Sequence, residues 1–151
     1  MIMKDRRAKA NNDEVGQLRY RTYKLSIDRI NSSIDLGYYL EAITLCESLI
    51  ADRLESRLNY LTQSDKYSFS MLFDMQNKIS ELETEGELNL VVNERLHAWR
   101  KKRNHALHQM AKIREGDNKE WEDKIADCKT IAIEGNSIRK EVFRLTDIRR
   151  K

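Results

Sequence analysis

A chain of 151 residues without a single proline can run in long uninterrupted helices, because proline deletes a backbone donor and clashes with the preceding turn. The spacing of apolar residues shows where those helices fall. Tyr20, Tyr23, Ile27, Ile30 and Ile34 recur at steps of three or four, the period of one helix face. A second stripe holds Leu40, Ile43, Ile50, Leu54 and Leu61, flanked by Ala42, Leu45 and Leu49. Phe69, Leu72, Phe73, Ile79 and Leu82 predict a third helix, and Leu88, Val92, Leu96, Trp99, Ala106 and Met110 a fourth over about 87–114. Trp121, Ile125, Cys128, Ala132, Ile138, Val142 and Leu145 predict a fifth. Gly37, Gly86 and Gly116 read as stops, since glycine takes the left-handed conformation that ends a helix. The polar stretch 62–68 reads as a turn, and Asp117 with Glu120 as a capping box. Gly135 looks like a weak point of about 1 kcal/mol inside the fifth helix. No period-two alternation suggests a strand. The expectation is an all-α bundle of about five helices over 15–151, preceded by a flexible basic arm over 1–14 carrying Lys4, Arg6, Arg7 and Lys9.

Hydrophobic residues make up 40% of the chain and charged residues 35%, which gives a lean core under a heavily charged surface. A net charge of +3 is too small for a general nucleic-acid binder, so local clustering carries the information. Cys46 and Cys128 sit at helical spacing among apolar residues and read as buried thiols of a reducing compartment. No apolar leader-like segment and no run long enough to span a bilayer is visible, so a soluble, cytoplasmic chain without a membrane partner is expected.

The chemistry-bearing residues concentrate in Arg103-Asn104-His105-Ala106-Leu107-His108, preceded by the basic run Arg100-Lys101-Lys102. Along a helix this places a guanidinium, an amide and an imidazole within about one and a half turns. An imidazole moves a proton, and a fixed cation stabilises charge on phosphorus. Two registers overlap, because Arg100 and His105 share the separation of Arg103 and His108. The Arg103 register is favoured on two grounds. Asn104 follows Arg103 directly, and Arg103 falls on the inward stripe of Leu96, Trp99, Ala106 and Met110, whereas Arg100 lies about 60° away, toward solvent. Glu47 interrupts the second helix's apolar stripe between Ile43 and Ile50 and is the natural partner for Arg103. Arg100, Lys101 and Lys102 add the positive field that an anionic substrate would feel, and His105 borders the site. Tyr38, Tyr39 and Trp99 are candidates for base stacking or for core packing. His105 and His108 have no cysteine or carboxylate at a matching helical offset, so neither a metal site nor a cofactor is expected.

Arg103-Asn104 followed by His108, in an all-helical chain, resembles the R-x4-H motif of the HEPN family. Many members of that family are small ribonucleases of toxin–antitoxin, phage-defence and RNA-processing systems. The resemblance implies a metal-independent endoribonuclease, usually a homodimer that joins two motifs across a cleft. Within it His108 would take the proton of a ribose 2′-hydroxyl, Arg103 would stabilise the pentacoordinate phosphate and Asn104 would hold it, leaving a 2′,3′-cyclic phosphate, while Arg100, Lys101 and Lys102 would contact the RNA. In the branch regulated by AMP transfer a tyrosine stands two positions after the histidine; here that position is Met110. An antitoxin or other regulatory partner is compatible with the resemblance but is not named by it. The alternative is a catalytically silent HEPN-like module that dimerises or binds a ligand for a partner protein.

Overall fold

Gly37 and Gly116 both have positive φ, and each falls at a break between helices. The computed structural model describes residues 14–113, 115–116 and 118–147. Over these the chain is helical, with no strand. Helix α1 is Glu14–Leu36, α2 is Tyr39–Thr62 and α3 is Leu72–Leu82. Helix α4 runs without a break through Gly86–Leu90, Val91–Leu96 and His97–Gln109, and α5 is Trp121–Leu145. The expected arm over 1–14 lies outside the described residues except Glu14, which is already helical; Asp117 and the basic residues 149–151 lie outside as well.

The first turn works as the sequence suggests. Tyr38 N donates to Ser33 O at 2.7 Å and Gly37 N to Ile34 O at 3.3 Å, the paired bonds of a Schellman ending, with Gly37 at φ +85°. This folds α2 back along α1. Helix α2 is the central element, packed against α1, α3 and α5. It buries Ala42, Ile43, Cys46, Leu49, Ile50, Leu54 and Leu58. Burial pushes the Cys46 thiol up to about 12, with the nearby Arg139 pulling the other way, and burial also raises Cys128. Below α2's last turns, Arg57 grips Glu83 through Nε at 2.6 Å and Nη2 at 2.8 Å, and Glu83 Oε1 also accepts the Glu85 amide at 3.0 Å. This buried pair sets the sharp path from α3 into α4.

Several sequence expectations are corrected here. Gly86 opens α4; α3 ends four residues earlier, at Leu82, where Glu83 turns extended. Phe69 precedes α3, with φ +62° and almost complete exposure. Helix α4 stops at Gln109 rather than near 114, because Lys124 Nζ reaches from α5 to the carbonyls of Gln109 (2.9 Å), Met110 (3.4 Å) and Lys112 (3.1 Å). The capping box of α5 joins Glu120 and Asp123, one turn beyond the pair read from the sequence. Tyr20 and Trp121, counted on apolar faces, are mostly exposed.

Candidate functional site

The site is carried by α4, and its rotation is fixed before the motif begins. Leu88, Val92 and Leu96 stand at successive steps of four and are all fully buried. In a plain α-helix such steps drift around the axis. The π-helical turns over Val91–Leu96 hold more residues per turn and keep the three in line. Trp99 then locks α4 onto α5. Its indole Nε1 donates to Ile131 O at 2.8 Å, and its ring lies so close to Gly135 that a Cβ there would fall 2.7 Å from Cζ2. The weak point read at Gly135 is therefore a seat for Trp99, since only glycine leaves the ring that room.

One turn after Trp99, the guanidinium of Arg103 faces α2 and pairs through Nη1 with Glu47 Oε2. The two side chains are 17% and 25% exposed, so the pair sits at the rim of the core. Arg103 Nε is buried without a hydrogen-bond partner. The remaining sides of α4 are taken in turn. Toward α3, Arg100 lies 4.6 Å above the Phe73 ring and His97 Nδ1 meets the Gln76 amide nitrogen at 2.7 Å. Toward α5, Lys102 approaches Glu134 at 3.5 Å and Arg95 Nη2 donates to Ser137 at 3.2 Å. Lys101, His105 and His108 are left exposed, with Asn104 half-buried beside them.

The structure thus brings Arg103 and Glu47 together and keeps Asn104 and His108 one turn apart on the adjoining, open side of the same helix. Of the three expected RNA-contacting cations, only Lys101 stands alone in solvent. Lys102 is shared with Glu134. Arg100, read as a solvent residue, is half-buried on Phe73, and its Nε has no partner. Trp99 is core, Tyr39 packs partly against the core and Tyr38 is exposed. His105 and His108 stand three apart, and among the described residues no group of three or more histidine, cysteine or carboxylate side chains converges as a metal site would require. Phe73, Gln76 and Lys124 were not singled out from the sequence. Phe73 was visible only as a core residue of a third helix, and nothing local marks Lys124 as the residue that ends α4.

A comparison with protein-family models, curated proteins and solved structures finds no match to this chain.

Chemically, the arrangement offers a cation whose direction is set by a carboxylate behind it. Beside it stand an amide that donates and accepts and a solvent-facing imidazole. Such a set handles a phosphate ester whose nucleophile is supplied by the substrate itself.

Proposed function

We propose that this chain is a metal-independent endoribonuclease of the toxin or phage-defence type, HEPN-like in fold and acting as a homodimer. The observation that carries this reading is the Arg103–Glu47 pair. It holds the guanidinium of an Arg-Asn-x3-His sequence at a half-open rim, where a charged residue would otherwise be costly to place. In the reaction His108 removes the proton of a ribose 2′-hydroxyl, and the freed oxygen attacks the adjacent phosphorus. Arg103 offsets the charge of the pentacoordinate phosphate while Asn104 holds a non-bridging oxygen. The bond to the 5′-oxygen breaks, that oxygen takes a proton, and a 2′,3′-cyclic phosphate remains. Lys101, with Arg100 and Lys102, attracts the RNA backbone.

Two features support a dimer that joins the motif faces. One copy offers one His108, whereas the reaction removes one proton and delivers another. Leu107 of the motif and Phe73, which lies under Arg100, are exposed, as are Met71 and Phe69 in the segment before α3. The silent-module reading is favoured by a single contrast: the His97 ring is held by Gln76, but among the described residues no side chain holds His108. An antitoxin or regulatory partner fits either reading.

The test is incubation of the purified protein with RNA in EDTA, followed by end mapping. Cuts with 2′,3′-cyclic ends and intact DNA are the expected result. Cleavage that needs added magnesium, or equal cleavage of DNA, refutes the mechanism. No cleavage together with tight capture of a partner supports the silent module.

A further inference from the structure

Helix α1 carries two apolar stripes. One faces the core through Tyr23, Ile27, Ile30 and Ile34. The other, about half a turn around the axis, holds Val15, Leu18, Leu25 and Leu36, which are 64%, 61%, 60% and 69% exposed. These residues fall at alternating steps of three and four along the series Val15, Leu18, Thr22, Leu25, Arg29, Ser32, Leu36, the spacing with which one helix packs along another. Isolated exposed leucines need no explanation, but a helix-long stripe opposite the core does. The one charged position in the series, Arg29, is drawn aside to Glu41 of α2 through a 2.6 Å contact. Helix α1 packs against α2 and α5 only at its inner side, which leaves the outer stripe on the rim of the bundle.

The charges of α1 indicate what covers it. Its first half, 14–24, carries Arg19, Arg21 and Lys24 against Glu14; its second half carries Asp28 and Asp35 against Arg29. A parallel copy would set cations on cations. An antiparallel copy sets the basic half of each helix along the acidic half of the other, with Arg21 and Asp28 on the same flank of the stripe. We infer that α1 is a homotypic interface, on which the α1 of a second copy lies antiparallel. This interface is separate from the motif face and does not depend on the ribonuclease reading. If both faces associate and the assembly closes, the particle is a tetramer; if only α1 does, it is a dimer.

The experiment is light scattering of the full-length protein over a concentration series, with circular dichroism to verify folding. Leu25→Glu lies on a surface that the monomer leaves exposed, so helicity should be unchanged while the particle mass falls by half. Leu90→Glu, which changes an exposed leucine of α4, should leave the mass as it was. Leu107→Glu reports on the motif face instead, so the two interfaces fail independently. Spin labels at Thr22→Cys should lie close across the interface and labels at Gln17→Cys roughly 15–20 Å further apart, as the 1.5 Å rise requires. Equal short distances at both positions would mean a parallel pair and overturn the arrangement. A Leu25→Glu protein of unchanged mass, or an unmodified protein that is monomeric throughout, overturns the interface altogether.

Discussion

Two arginine–glutamate pairs join α2 to the second half of the bundle, and they are built differently. Near the end of α2, Arg57 meets Glu83 with two parallel bonds of 2.6 and 2.8 Å, and the side chains are 7% and 0% exposed. Near its start, Glu47 meets Arg103 through one guanidinium nitrogen, their side chains are 25% and 17% exposed, and Arg103 Nε stays without a partner. The first pair is sealed and its carboxylate is further satisfied by the Glu85 amide. The second leaves donor capacity unspent next to Asn104 and close to the open side of α4. Identical residue types therefore sit in different settings: a buried pair joined by two parallel bonds holds a chain path, and a half-open pair joined through one nitrogen leaves a cation at the rim. The boundary is sharp. Cys46 is fully buried, and its neighbour Glu47 is at the rim.

The contrast yields graded outcomes. Glu83→Ala leaves Arg57 buried without its counter-charge and should cost about 3–5 kcal/mol, lowering the melting temperature by roughly 10 °C. A loss within 1 kcal/mol would show that the sealed pair contributes no more than a surface one. Gly135→Ala pushes a methyl group into Trp99 and should cost about 1–3 kcal/mol. Because Trp99 sets the rotation of α4, cleavage should fall with it; full stability would mean that the indole can shift freely. Glu47→Ala should cost only about 1–2 kcal/mol, yet reduce cleavage more than Glu83→Ala does at temperatures where both remain folded. Equal activity of Glu47→Ala and the exposed-face variant Glu94→Ala would remove Glu47 from the site.

The smallest effect concerns Cys46, on the closed side of the boundary. Its thiol is raised from 9.0 to about 12 by burial, so above pH 9 the unfolded chain releases a proton that the folded chain keeps. Stability should be unaffected below pH 9 and fall between about pH 9 and 12, by at most ~1.4 kcal/mol per pH unit from this group. Cys46→Ala should flatten that slope in alkaline denaturation curves. A slope that persists unchanged would assign it to other groups.

How far the sequence reveals these features depends on whether the cause is local. The stop at Gly37 was legible because a left-handed turn is a property of a few consecutive residues. The inward direction of Arg103 and its pairing with Glu47 were legible because both interrupt apolar stripes of known period. What escaped depends on residues distant in sequence. Gly135 reads as a defect until Trp99 is laid on it. Gly86 reads as a stop until Arg57 draws Glu83 inward and ends α3 first. The early end of α4 is made by Lys124, fifteen positions after Gln109. The steps of four at Leu88, Val92 and Leu96 were a visible trace of the π-helical turns, and Arg100 followed Phe73 rather than its own angle on the helix.

The central claim is that chemistry occurs at Arg103, Asn104 and His108, and comparing cleavage across the two overlapping registers tests it most directly. Cleavage of RNA in EDTA should be measured for Arg103→Ala, His108→Ala, Arg100→Ala and His105→Ala, each verified as folded. Arg103→Ala and His108→Ala should each lose at least about a hundredfold, the scale of a lost charge stabiliser or general base. Arg100→Ala and His105→Ala should weaken cleavage modestly and mainly at raised salt, as expected for residues that only attract the substrate. If Arg100 or His105 is indispensable while Arg103 tolerates alanine, the site lies in the other register. If all four variants cleave as well as the unmodified protein, the ribonuclease account is wrong.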